Sequence, residues 1–356
     1  MFRAIDKWLL PYLKRRPQRS EQRTHVMIAI CDHFEPLHHS NESGARKRIA
    51  RWEKEFPKFV EEFRDPGGHP PKHTFFYPAE QYSAALLDPL AGLCRKTGSE
   101  VEVHLHHDGD TEEGVRAALE EGKMNFREHG LLPEDASGQV RFAFIHGNWA
   151  LNHSHPEGKG CGVEREIPIL RRAGCYADFT MPSAPSPTQA RFVNGIGYLR
   201  DLPGRRALDE VEPAISGEGK ERRENENELL MIQGPLALNW QRRKWGILPR
   251  VENGDLTGAN PPTASRFRLA FDQAISVERH PDWVFIKFHT HGGIERNFEM
   301  LLGEPMRRFH ESLSRLEDVT PHYVTAREMA NLVHAAEDGR SGDPDPYRDY
   351  CFQLPQ

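Results

Sequence analysis

From residue 26 onward, short apolar runs of β-forming residues alternate with stretches of helical periodicity, the pattern of βα units laid on a largely parallel sheet. Residues 26–31, 140–145, 175–177 and 284–288 each predict a strand. Each run leads directly into side chains that can hold a cation or move a proton: Asp32-His33, His146, Asp178 and His289 respectively. The densest group, His104-Leu105-His106-His107-Asp108, stands where another apolar run stops and a helix is about to begin. In a parallel sheet or barrel, residues beyond the carboxyl ends of the strands gather at one mouth. Five separated segments therefore predict one site.

Helix signals frame these strands. Asp110-Thr111-Glu112-Glu113 resembles a capping box and predicts a helix that runs to a left-handed cap at Gly130. Thr325-Ala326-Arg327-Glu328 repeats the signal for a last helix, with Met329, Leu332 and Val333 as its buried face. Residues 147–162 form a long loop rich in His, Asn and Gly, of the kind that shapes a cleft. Residues 204–228 are sharply polar and predict a solvated insertion; residues 249–262 predict a second, irregular one. At the amino end Phe2, Ile5, Trp8, Leu9, Tyr12 and Leu13 recur at helical spacing ahead of Lys14-Arg15-Arg16. The two readings are a helix docked on the body and a basic amphipathic helix on a membrane surface. The expected organisation is an extension over 1–24, one α/β domain over 25–335 and a tail over 336–356.

Composition narrows the function classes. A chain of 356 residues can bury one large α/β core. A mean hydropathy of -0.69, with no run of about twenty apolar residues, predicts a soluble protein without a transmembrane segment. The net charge of -6 offers no general attraction to nucleic acid. The five cysteines are widely spaced without a C-x-x-C pair, which predicts reduced thiols and a cytoplasmic setting, with peripheral membrane contact through residues 2–16 as the alternative.

A strand ending in Asp-His, followed two βα units later by Gly98-Ser99-Glu100-Val101-Glu102-Val103-His104, resembles the polysaccharide deacetylase family of metal-dependent carbohydrate esterases. The resemblance covers roughly residues 25–335 through about a dozen positions, and it implies an irregular or seven-stranded (β/α) barrel. It implies Asp32 as general base and His33 as a metal ligand. His104 carries over as a ligand; Asp108 falls where the family has a second His, with His106 or His107 as alternatives. Phe144-Ile145-His146-Gly147-Asn148-Trp149 takes the position of the groove-lining segment. Ile286-Lys287-Phe288-His289-Thr290-His291 looks like the final motif, whose His acts as general acid. The substrate-lining set is then His146, Asn148, Trp149, Asp178 and His291.

The chemistry can be stated on its own terms. A divalent ion, zinc first and Mn, Co, Ni or Fe as alternatives, lowers the pKa of bound water from about 15.7 toward 7 and polarises a carbonyl. Asp32 would take the proton as water attacks an amide or ester carbon, and His289 would protonate the departing group. Trp149 offers a stacking face for a sugar. Glu35 and Glu80 are further carboxylates in strand-end loops. The bland alternatives are hydrogen-bonded core histidines for His146 and His289, a cap for Asp178, and surface histidines for His38-His39 and His153-His155. The expected function is removal of an acyl group from a carbohydrate or glycoconjugate. Its rivals are a catalytically silent sugar-binding member of the same fold and a non-haem iron oxygenase built on two His and one carboxylate.

Overall fold

Runs of Val, Ile, Phe and Ala with β-branched or aromatic neighbours fold into strands that are buried on both faces, as parallel strands under helices must be. The computed structural model describes residues 4–202 and 208–355. The main strands are β1 (Thr24–His33), β2 (Thr74–Pro78), β3 (Glu100–Leu105), β4 (Phe142–His146), β5 (Cys175–Asp178), β6 (Ile196–Arg200), β7 (Val211–Pro213), β8 (Glu228–Ile232), β9 (Asp255–Leu256), β10 (Trp283–Thr290) and β11 (Val319–Tyr323). Side by side their order is β9, β10, β1, β2, β3, β4, β5, β8, β6, β7. Strand β11 lies beside the first half of β1, and β2 beside its second half. Pairing is parallel from β9 to β8, after which β6 and β7 turn antiparallel. The α/β class is as expected. The sheet curls into a half-barrel: among the described residues no ladder joins β9 to β7, so the irregular or seven-stranded (β/α) barrel expected is not confirmed by the strand order.

Alternation along each strand separates two cores. On the outer face Val26, Ile28 and Ile30 meet Trp52, Phe56 and Phe59 of the helix Glu42–Glu62, while Val101 and Val103 belong to the same cluster as Leu119 and Phe126 of the helix Glu112–Glu128. On the inner face Met27, Ala29, Cys31, Ala143, Ile145 and Phe285 meet Met329, Leu332 and Val333 of the helix Ala326–Glu337. That last helix was expected to bury one face; all of its residues are buried. Its polar side chains are accordingly paired: Arg327 Nη2 reaches Glu100 Oε1 at 2.8 Å, Asn331 Nδ2 donates to the Arg348 carbonyl at 2.7 Å, and Tyr198 donates to Glu337 Oε1 at 2.8 Å. Its capping box at Thr325 and Glu328 is present as expected.

Several boundaries differ from expectation. The helix foreseen from Asp110 starts at Glu112, because Thr111 is the cap, its hydroxyl accepting from the Gly114 N–H at 3.1 Å. The polar stretch 204–228 falls partly outside the described residues. Its remainder forms β7 and a helix, Gly219–Glu224, tied down by Arg223 to Asp338 at 2.7 Å. Residues 249–262 are more regular than foreseen: Leu248–Glu252 pairs with Ala237–Lys244 as a hairpin, and β9 follows. The expected tail is part of the body, since Phe352–Gln353 pairs with Glu134–Asp135 and Arg348 is buried. The amino-terminal helix Ile5–Lys14 docks through fully buried Trp8 beside Ala184, Val193 and Leu236, and Phe2 lies outside the described residues. Among the described residues no helix is long and apolar enough to cross a membrane.

His310 illustrates how the outer core responds to acid. Its Nδ1 meets the Tyr323 hydroxyl at 2.9 Å among Phe59 and Phe63, and burial, with Arg307 nearby, pushes its pKa down to about 3. The folded chain refuses a proton that the unfolded chain binds near the ordinary value of about 6.5. Stability is therefore intact above that pH and falls as pH drops toward 3, by at most about 1.4 kcal/mol per pH unit from this ring. Urea denaturation between about pH 4 and 6 should show a shallower pH slope for His310→Leu than for the parent; equal slopes would refute the assignment.

Candidate functional site

The parallel register delivers the carboxyl ends of β10, β1, β2 and β3 side by side: Cys31 lies opposite His289, and Pro78 opposite His104. At these ends stand His33, His104 and His289, and just beyond them Glu35, His106 and His291. Ring centroids separate His33 from His104 by 5.0 Å, from His291 by 5.0 Å and from His289 by 6.3 Å, and His104 from His106 by 4.5 Å. Glu35 is the hub. Its Oε1 lies 2.8 Å from His106 Nε2 and 3.7 Å from His104 Nε2, and its Oε2 lies 3.6 Å from His291 Nδ1.

Supporting contacts aim these groups. His104 Nδ1 donates to the Ile145 carbonyl at 3.1 Å, so its buried Nε2 faces the site bare and without a hydrogen-bond partner. An imidazole fixed in this way through its other nitrogen is the usual arrangement around a metal. Glu80 Oε1 holds His106 Nδ1 at 2.7 Å. Gly147 lies against the flat of the His106 ring, where a Cβ would come within 2.2 Å of the ring carbon Cδ2. The His289 Nδ1 is likewise buried without a partner.

Charge is divided unevenly. Burial opposes ionisation of Glu35, but the imidazoles of His104, His106 and His291 beside it hold its carboxyl well below the usual range. For His106 burial is outweighed by hydrogen bonds to Glu35 and Glu80, which push it up to about 9. Burial, with neighbouring imidazoles, holds His33 well below its ordinary value, and burial with Lys287 does the same to His289. His104 is lowered by burial, against the pull of Glu35. Glu35, His104 and His106 place one ligand atom each within 4.8 Å of one another, so this mouth could hold a metal ion. The donor set of imidazole nitrogens and carboxylate oxygen, with an orphaned nitrogen aimed inward, suits zinc or a neighbouring divalent ion.

The expected residues divide into those at the mouth and those elsewhere. His33, His104, His106, His289 and His291 converge as foreseen. Asp32 does not: it points to the outer face, where its Oδ1 accepts from the Gly292 N–H at 2.6 Å and its Oδ2 meets His73 Nε2 at 2.8 Å. Adjacent residues of a strand face opposite ways, so Asp32 and His33 cannot share one face. Asp108 is also absent from the cluster. It is exposed, accepts from the Gly160 N–H at 2.7 Å and steadies the following loop. Glu35 provides the carboxylate assigned to it.

His146 and Asn148 join a second group on the outer face: the Asn148 N–H reaches His146 Nδ1 at 3.1 Å, and Asn148 Nδ2 donates to the His107 carbonyl at 2.9 Å. Asp178 is buried beside Thr180, whose hydroxyl donates to it at 2.5 Å, and burial pushes it up to about 7. Lys287, pushed down to about 8 by burial, donates to the Phe179 and Met181 carbonyls at 2.5 and 2.6 Å. Trp149 is only partly exposed, at 37 %, in the loop after β4. Sequence reasoning missed Lys287, His73, Cys161 and Glu166; only Lys287, interrupting an apolar run two residues before His289, left a signal.

No family model matches the chain, and no curated protein matches it in sequence.

Zinc added to metal-free protein should bind and raise the thermal midpoint. His104→Ala and Glu35→Gln should each abolish the mouth's share of the uptake, read by metal analysis after gel filtration, while circular dichroism stays like the parent's. Unaltered metal content in both variants would rule out a metal at this mouth.

Proposed function

We propose that the chain is a metal-dependent hydrolase that removes an acyl group, held as amide or ester, from a carbohydrate or glycoconjugate. The observation that carries this reading is the convergence of one carboxylate, Glu35, with five imidazoles at the carboxyl edge of a parallel sheet, the edge where such folds keep their chemistry. The resemblance to polysaccharide deacetylases through His33 and His104 supports it. Glu35, His104 and His106 would hold the ion, with His33 as a further imidazole. When bound, the ion supplies Lewis acidity toward the acyl oxygen and a water of lowered pKa.

The acid-base roles follow the positions of the side chains. Asp32 is consumed by His73 and Gly292, so the base lies elsewhere. His291, partly exposed and 3.6 Å from Glu35 Oε2, is placed to take the proton of the attacking water while Glu35 stabilises the resulting imidazolium. His291 then returns that proton to the departing amine or alkoxide. His289, kept neutral by burial, can hydrogen-bond to substrate but is a poor proton donor, and the acid role foreseen for it passes two residues along the strand. The partly exposed ring of Trp149 supports a sugar-stacking platform.

The five free thiols support a reducing, cytoplasmic setting, and exposed Leu10 and Leu13 support a peripheral membrane contact by the first helix. Two specific observations favour rivals. The trio Glu35, His104 and His106 is also a two-imidazole, one-carboxylate set suited to iron, and the removal of Asp32 from the mouth suits a silent glycan-binding member.

Zinc-loaded protein incubated with N- and O-acetylated oligosaccharides should release acetate. His291→Gln should lower kcat by about 10²-fold or more with metal content unchanged. Oxygen consumption by the iron-loaded form, or glycan binding without acetate release, would each displace the hydrolase reading.

A further inference from the structure

We infer that the chain carries a second metal site, structural in character, on the outer face of the sheet. His107 follows β3, His146 is the last residue of β4, Cys161 lies near the end of the long loop 147–162, and Glu166 opens the helix Glu166–Ala173. All four are buried, and one ligand atom from each lies within 4.8 Å of the others. Glu166 Oε1 faces both imidazoles, at 3.0 Å from His107 Nε2 and 3.8 Å from His146 Nε2, while its Oε2 accepts from Cys161 Sγ at 3.5 Å and from the Asn152 N–H at 2.6 Å. A salt bridge between His107 and Glu166 accounts for one of these contacts only.

It leaves too much unpaired. The fully buried His146 Nε2 has no hydrogen-bond partner, nor have Asn152 Nδ2 and Ser154 Oγ of the following loop. Buried polar atoms without partners are costly, and their concentration here marks a missing ligand. Two imidazoles, a thiolate and a carboxylate form a closed four-donor set, each donor a ligand type that zinc takes and the number that fills its tetrahedral shell. Zinc would displace the Cys161 thiol proton to solvent, and with it a proton from the His107 ring. Coordination through His146 Nε2 also moves that ring's proton to Nδ1, facing the Asn148 N–H, so the turn at Asn148 is the part that has to relax. The gain is a loop of about fifteen residues cross-linked to two strands and a helix.

Thiolate ligation distinguishes this site from the cysteine-free mouth. Fully loaded parent protein should hold about two zinc ions per chain, Cys161→Ala and His146→Gln about one, and His104→Ala about one. Cobalt-loaded parent and His104→Ala should both show the near-ultraviolet thiolate-to-cobalt absorption, and Cys161→Ala should not. Absence of that band in the cobalt-loaded parent overturns the second site without touching the mouth. A band retained with no loss of metal in His104→Ala overturns the mouth and leaves this site standing.

A separate observation carries a surface proposal. The hairpin Ala237–Lys244 and Leu248–Glu252 stands off the main sheet, its tip exposing Trp240, Trp245 (76 %), Ile247 (74 %) and Leu248. Arg242, Arg243, Lys244 and Arg250 surround these side chains, and residues 237–251 contain no acid although the chain is net negative. The first helix packs against the hairpin base, Tyr12 and Leu9 clustering with Leu238 and Val251, and leaves Leu10 and Leu13 outward above Lys14 and Arg16. Apolar and aromatic tips inside a basic collar match an anionic lipid surface, where indole rings settle at headgroup depth and lysine and arginine meet phosphate. We propose that this hairpin docks the protein on anionic membranes. The full chain should sediment with phosphatidylserine-containing vesicles, with blue-shifted tryptophan emission, and not with phosphatidylcholine alone. The double variant Trp245→Ala, Ile247→Ala should lose that binding. Failure to sediment at low salt, binding that survives the double variant, or a dimer in light scattering that the variant dissolves would overturn it, the last in favour of a second copy of the chain.

Discussion

The side chain that places the mouth is one that lies outside it. Asp32 lies beneath the surface between two strands, accepting the Gly292 N–H on one oxygen and His73 on the other. That carboxylate fastens the turn after β10 to the end of β1. Gly292 must be glycine, since a Cβ would meet Asp32 Oδ2 at 2.1 Å, and Gly293 lies as tightly against the backbone of Glu35. His291 and Glu35 are therefore held as neighbours by main-chain contact rather than by each other. Trp52 closes the arrangement from below, donating to the Gly292 carbonyl at 2.8 Å and packing on His73. Removing a single partner from such a buried, charged network costs more than the bond itself, because the remaining charge is stranded.

Much of this was legible in the residues. Apolar runs ending in His or Asp identified the strands, and parallel topology implied that their ends would meet; His33, His104, His106, His289 and His291 follow from that logic. What the pattern could not give is parity. A strand presents alternate residues to opposite faces, and a tight pair such as Asp32-His33 or His106-His107 must divide between them. The division sends His33, Glu35, His104 and His106 to one group and Asp32, His107 and His146 to others. Which member faces the chemistry depends on which face each helix covers. Cys161 and Glu166 were hidden for another reason: a loop and a helix start meet the strand ends only after long-range folding, and no local spacing encodes that meeting.

Polar atoms inside the molecule fall into two kinds. Those on the last helix are satisfied by one another, as Arg327 with Glu100 and Asn331 with the carbonyls of Arg348 and Phe352. Those around His104 and His146 are not. Among the described residues unpartnered buried atoms also occur at Gln81, Glu100, Arg171, His280 and Arg348, so the bare nitrogens of His104 and His146 are set apart by the imidazoles and carboxylates gathered beside them rather than by lacking partners alone.

The helix Ala326–Glu337 packs against strands drawn from β1 through β10, and β1, besides its short pairing with β2, hydrogen-bonds to β10 and β11 from the far end of the sequence order. A nascent polypeptide emerging from the ribosome thus exposes the inner surface of its sheet until the helix Ala326–Glu337 has followed it. Completion of the interior waits for that helix, and the interval before it is when this protein has greatest need of a chaperone.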